Sequence, residues 1–137
     1  IALERTLGLD RPETLTAFGA RIDHLGENLR ALLASVKQQG YSIAAYGAPT
    51  KAVTLLSHFE IGAESLDFVV EDNPMKHGRF LPVSHVPVRP TSELYEQRPD
   101  FVLILAWNFA RPIMAMHRRY EELGGRFILP MPEPGIV

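Results

Sequence analysis

Cysteine is absent from all 137 residues, so the chain can form no disulfide and no thiolate metal site. A basic excess is missing too. With 14 Lys and Arg against 16 Asp and Glu, the formal net charge is -2, which leaves non-specific nucleic-acid binding without electrostatic support. No apolar run approaches the roughly 20 residues of a membrane span. Neither nucleic acid nor membrane is therefore expected as a partner, and a cytoplasmic setting is. The five histidines are too scattered for a ligand set, and no Ser-His-Asp grouping, paired-carboxylate box or metal-ligand spacing stands out. The opening Ile1-Ala2-Leu3 has no initiator Met and no basic, apolar leader, so we expect the numbering to begin inside a longer polypeptide.

What is present is a regular α/β pattern. Leu15, Phe18, Ile22, Leu25, Leu29, Leu32 and Val36 recur at spacings of three and four, which predicts one amphipathic helix over residues 12–39. Asp10 and Glu13 suggest a capping box, Pro12 suits the first turn, and Gly40 suits the stop. Such a helix is roughly 40 Å long, more than the domain needs to cover its own sheet, so its N-terminal half is expected to pack on a domain outside this chain. Short apolar runs follow at Ser42–Tyr46, Leu66–Val70, Phe101–Leu105 and Arg126–Leu129, with a weaker strand at Val86–Val88 that Pro87 restricts to an edge. Between them lie helix candidates at Lys51–Phe59, Ser92–Gln97 and Ala110–Leu123. The last carries Phe109, Ile113, Met116, Tyr120 and Leu123 on one face and Asn108 as a candidate N-cap. Alternating strands and helices argue a Rossmann-like α/β fold, a mostly parallel sheet of about five strands with helices on both faces, preceded by the long N-terminal helix.

Ligands of such sheets settle beyond the carboxyl ends of the strands, which picks out three clusters. In Tyr46-Gly47-Ala48-Pro49-Thr50-Lys51 a strand turns into a helix through small residues. Such a turn aims N–H groups and the positive end of the helix dipole at one point, which suits a phosphate, and Lys51 adds a charge. It matches neither G-x-G-x-x-G nor the Walker spacing, and Gly47 and Pro49 could equally just shape a tight turn. Asp72, at the end of the second strand about 20 residues on, stands where a ribose hydroxyl is bound in Rossmann-type proteins; the alternative is an Asx turn through Asp72-Asn73-Pro74. Lys76 and His77 read as solvated loop residues, and His85 as packing or capping the flap over residues 73–85. Trp107 and Asn108 follow the next strand: the indole could stack on a base or sugar, or fill the core, and Asn108 could bind a ligand or cap the helix. Arg111, Arg118 and Arg119 read as a solvated helix face.

Taken together, Tyr46-Gly47-Ala48-x-x-Lys51, the run from Asp67 through Asp72-Asn73-Pro74-x-Lys76-x-Gly78, Leu81-Pro82, the run from Pro99 to Leu105 with Trp107-Asn108, and Gly124-Gly125-Arg126-Phe127 resemble the C-terminal domain of the SAM-dependent sugar C-methyltransferases. The match runs in order from about Tyr41 to Pro132. Ala52, Val83, Ala106 and Arg111-Pro112 depart from the residues common in that family, which bears on the flap and on the sugar rather than on the fold. The resemblance implies a zinc-binding region and a SAM-binding domain upstream, with a nucleotide-linked keto sugar held between the SAM domain and this one. There a base removes the proton beside the ketone, and the resulting carbanion attacks the SAM methyl group. Neither the zinc cysteines nor a Gly-rich SAM motif occurs here, so the expectation divides the chain into a linker and long helix over residues 1–40 and a nucleotide-sugar-binding domain over 41–137. Tyr46, Gly47, Ala48, Thr50, Lys51, Asp72, Asn73, Lys76, His85, Trp107 and Asn108 are the expected nucleotide-sugar contacts. The rival readings are an NAD-type dinucleotide-binding domain, the sugar-binding domain of a nucleotide-sugar acyltransferase, and a structural lid whose loops contact only the neighbouring domain.

Overall fold

The computed structural model describes residues 2–137; Ile1, where the chain opens, lies outside the described residues. A short helix α1 (Ala2–Thr6) precedes the long helix α2 (Pro12–Gln38). Then come β1 (Ile43–Tyr46), α3 (Thr50–His58), β2 (Val69–Glu71), β3 (Val88–Pro90), α4 (Glu93–Gln97), β4 (Phe101–Ile104), α5 (Ala110–Met116), α6 (Arg118–Glu122), β5 (Arg126–Leu129) and β6 (Gly135–Ile136). The strands form a single sheet in the order β3-β2-β1-β4-β5-β6, parallel except for the β5–β6 pair. The sheet thus has a sixth, antiparallel strand that the sequence pattern misses, because Gly135-Ile136 is too short to carry a period of two. β3 is an edge strand, where Pro87 and Pro90 leave no central ladder bond unmade.

Alternation along the strands divides the apolar residues between two faces. Ile43, Ala45, Val69, Leu103 and Ile128 face α2 and α3, meeting Leu29, Leu33, Val36, Ala52, Leu55 and Phe59. Ala44, Tyr46, Val70, Val102, Ile104 and Phe127 face the other way, toward Leu94, Ala110, Ile113 and Tyr120. The C-terminal half of α2 is therefore part of the core. At Gly26 it packs directly on Phe59, since a Cβ there would lie 2.5 Å from Phe59 Cδ1. The N-terminal end stands clear of the core, with Leu15 59% and Phe18 53% exposed, while Ile22 and Leu25 already pack against it.

Three local expectations change. α2 starts without a capping box: Arg11 occupies the N-cap and makes no side-chain cap bond, so Pro12 alone marks the start. The predicted helix 110–123 is broken at His117 (φ -106°, ψ 26°), and its inward stripe is Ala110, Ile113, His117 and Tyr120, while Phe109, Met116 and Leu123 are exposed. The spacing of three, four and three is the expected helical one. The stripe was misplaced because a histidine was not counted among its inward residues. Asn108 does not cap α5, whose N-cap is Phe109; it sits inside a 3-10 turn over Trp107–Phe109.

Candidate ligand site at the switch point

From β1 the chain moves outward through β2 to β3, and from β4 it moves the opposite way to β5, so β1 and β4 are neighbours whose following segments diverge. The crevice beyond their carboxyl ends is where open α/β sheets bind ligands. Gly47 leaves β1 at φ +88°, a conformation that disfavours any side chain, and a Cβ there would sit 3.2 Å from the Ala106 Cβ across the gap. Beyond this pinch Lys51, in the first turn of α3, reaches over the switch point. Its Nζ donates to Asn108 Oδ1 and lies 4.6 Å from the Trp107 ring centroid and 5.8 Å from that of Phe109. Trp107 is half-buried, packing one side on the core while its ring receives the ammonium group. The core-packing reading of Trp107 thus holds in part, and Lys51 does not fold back into open solvent. Its charge at the positive end of α3 is balanced by aromatic faces and an amide oxygen.

The second cluster is internally bonded. Asp72 Oδ2 accepts from the Tyr46 hydroxyl at 2.8 Å and Oδ1 from the Thr91 hydroxyl at 2.6 Å. The Thr91 bond first, and the Tyr46 bond after it, hold the Asp72 carboxyl below the usual carboxylate range, against the effect of burial. Behind Tyr46 lies His117, 5% exposed, with Nε2 3.0 Å from the Tyr46 oxygen and Nδ1 2.8 Å from the Tyr95 oxygen. Burial pushes the His117 pKa down although Asp72 pulls it up, and burial together with the bond to Asp72 pushes the Tyr46 hydroxyl far up.

Glu71 governs the flap. Its Oε2 accepts from the Ala48 N–H at 2.9 Å and from Lys76 Nζ at 3.1 Å, and its Oε1 from the Asn73 N–H at 3.0 Å. Burial works against this charge, but the Asn73 and Ala48 amides and Lys76 keep Glu71 ionised below its ordinary pKa. Lys76 donates also to the Ala48 carbonyl at 3.0 Å, and His77 Nε2 to the Glu71 carbonyl at 2.6 Å. Both are half-buried clamps, not the solvated loop residues expected from sequence, because Glu71 offers Lys76 its carboxylate and His77 its backbone carbonyl. Asn73 Oδ1 accepts from the Met75 N–H at 3.0 Å, which is the Asx-type turn.

Tyr46, Gly47, Ala48, Thr50, Lys51, Asp72, Asn73, Lys76, Trp107 and Asn108 therefore gather at the carboxyl ends of β1, β2 and β4, with Thr50 exposed as the first residue of α3. His85 does not join them. It precedes β3 and lines an open groove with Ser57, Glu60 and Gly62 past the far end of α3, a helix length away. Thr91, Tyr95 and His117 were not singled out from sequence. The one available signal was His117 on the 110-113-117-120 stripe. No group of three or more His, Asp or Glu residues able to hold a metal occurs among the described residues, and none of their helices is long and apolar enough to cross a membrane.

The family model described as the C-methyltransferase C-terminal domain matches residues 1–132. The C-methyltransferase NovU of Streptomyces niveus is 34% identical over 137 residues, 100% of this chain and 33% of that protein, so the chain spans about a third of this relative's length.

Proposed function

The chain belongs to the C-methyltransferase C-terminal domain family, and from that premise we propose that it forms the nucleotide-sugar side of the cleft in a SAM-dependent C-methyltransferase acting on a dTDP-linked keto sugar. The observation that carries this reading is the Lys51–Asn108–Trp107 cluster spanning the switch point. It brings a cation, an aromatic face and an amide together where a diphosphate, a base or sugar ring and a hydroxyl would have to be met. In this reading Lys51 takes a phosphate oxygen, exchanging Asn108 for it. Trp107 stacks on the base or sugar, and the freed Asn108 amide and Asp72 carboxylate take hydroxyls. Gly47 and Ala48 keep the crevice floor low, Tyr46 holds Asp72, and Lys76 and Asn73 hold the flap edge.

SAM and zinc do not fit this chain. The turn after β1 has one glycine, its Ala48 N–H is committed to Glu71, and the described residues offer zinc no ligand group. Both belong, in this proposal, to the remainder of the enzyme along with the base that deprotonates the sugar. The committed Ala48 N–H also counts against an NAD-type domain, which uses that turn for pyrophosphate. A structural lid is the second reading, favoured by the internal partners of Asp72 and Glu71.

Titration of this chain with dTDP and, separately, with SAM separates them. We expect weak, millimolar dTDP binding that shifts the amides of Lys51, Trp107 and Asn108, and no saturable response to SAM. An unchanged spectrum with dTDP would favour the lid, and saturable SAM binding would overturn the proposal.

A further inference from the structure

We propose that His117 is a positioning residue: as a neutral imidazole protonated on Nε2, it acts through Tyr46 to fix the Asp72 carboxylate at the mouth of the cleft. This rests on the reading of Asp72 as an acceptor for a ligand hydroxyl.

The tautomer follows from counting protons. An ionised Asp72 has none to give, so the single hydroxyl proton of Tyr46 points at Asp72 Oδ2 across 2.8 Å. The Tyr46 oxygen then accepts, and the 3.0 Å contact with His117 Nε2 must be carried by an Nε2–H. A neutral imidazole has only that proton, which leaves Nδ1 bare to accept the Tyr95 hydroxyl at 2.8 Å. Thr91 closes the chain by giving its proton to Asp72 Oδ1. Every donor thus points toward the carboxylate, from residues on α4, the α5–α6 junction, β1 and the segment after β3. The ordered groups leave each carboxylate oxygen a free lone pair on the outer side, where a ligand hydroxyl can donate.

The charged groups that face this chain are few. Asp72 lies at one end with His77 near it, the Glu71 carboxylate acts on Tyr46 from the adjacent residue at the end of β2, and the Arg119 guanidinium lies 5.8 Å from the Tyr95 ring centroid at the other end. An imidazolium would put a second proton on Nδ1 and turn the Tyr95 hydroxyl outward. The break in the helix at His117 places the ring where both hydroxyls can reach it.

Two measurements test the inference, the first on this chain and the second on the full-length enzyme of which it would form one side of the cleft. Long-range proton–nitrogen NMR should show His117 neutral and Nε2-protonated at pH 6, below its ordinary pKa of about 6.5; an Nδ1–H tautomer or an imidazolium there overturns it. The second is a double-mutant cycle on dTDP-glucose affinity, combining His117→Leu with Asp72→Asn. Each single change should weaken binding roughly five- to tenfold, the loss of one hydrogen bond, and the pair should weaken it no further. His117→Gln, which keeps an N–H donor toward Tyr46, should restore most of the loss and serves also if the leucine variant folds poorly. Losses that multiply, or an unchanged affinity in His117→Leu beside a weakened Asp72→Asn, refute positioning. Affinity indifferent to Asp72→Asn removes the ligand reading itself, whatever tautomer is found.

Discussion

Replacing Lys51 by alanine separates ligand binding from folding, because the side chain makes few contacts in the fold while the proposed function gives it a large role in binding. In the free domain Lys51 makes one contact with Asn108 Oδ1, which is exposed and so regains water, a cation–π contact with Trp107 at 4.6 Å and a longer one with the exposed Phe109 at 5.8 Å. Losing these costs about 1–2 kcal/mol. Removing a positive charge from the first turn of α3 returns some 0.3–1 kcal/mol. The net loss is therefore about 1 kcal/mol. For 137 residues, with an unfolding entropy of about 0.3 kcal/mol/K, that is a midpoint lower by about 3 °C. A phosphate contact is worth more: a charge-assisted hydrogen bond of roughly 1.5–3 kcal/mol corresponds to a ten- to hundredfold loss of nucleotide-sugar affinity. The assay pairs calorimetric affinity of the full-length enzyme for dTDP-glucose with the thermal midpoint of this domain, for wild type, Lys51→Ala and Lys51→Met. Methionine keeps an apolar stem on Trp107 without the charge, so its midpoint should fall less than that of alanine while its affinity falls as much. Unchanged affinity, or a loss that methionine repairs, would refute a role for the charge.

Two further expectations follow from packing and titration. On α2, Gly19→Ala should raise the midpoint by about 3 °C, since nothing lies within 4 Å of the added Cβ and alanine is the better helix former by about 1 kcal/mol; Gly26→Ala, aimed at Phe59 2.5 Å away, should cancel that gain or lower the midpoint by up to about 6 °C. A pair of thermal melts decides it, and equal shifts would refute the close approach. Hydrogen bonds hold Asp72, Asp100, Glu64 and Glu71 below their ordinary pKa values, so near pH 4 the unfolded chain binds more protons than the folded one. Stability from these groups should be complete above about pH 5 and fall as pH drops through 4, whereas His117, depressed by burial, should add a decline that starts near pH 6.5 and is missing in His117→Gln. Midpoints measured from pH 3 to 7.5 test both slopes.

The sheet was legible because its strands are buried on both faces and read as continuous apolar runs; Ile43–Tyr46 and Phe101–Ile104 are buried throughout. The long helix was legible through its period, although which part of the stripe meets the sheet was not: Leu33 and Gly26 are buried, while Leu15 and Phe18 are exposed. Site residues on strand ends could be placed by topology alone. What those side chains bond to could not, since the partners of Asp72 are Tyr46 and Thr91, 26 and 19 residues away in sequence, and Lys51 meets Asn108 57 residues on. A histidine among apolar positions gives no sign that two tyrosines from other elements satisfy it. His85 shows the opposite failure, a polar residue near a flap that topology carries to the wrong end of the sheet.

The Glu71 carboxylate on the Ala48 amide acts as a tethered competitor. A group held by its own chain presents an effective concentration of millimolar or more at its binding point, and here Lys76 and the Asn73 amide hold it as well. Free phosphate or sulfate at ordinary buffer strength would therefore leave that amide unclaimed. Under the proposed function a diphosphate entering the crevice would be met instead by Lys51, in the first turn of α3. Any attempt to re-engineer this turn for a dinucleotide would have to evict Glu71 before a second or third glycine could be of use.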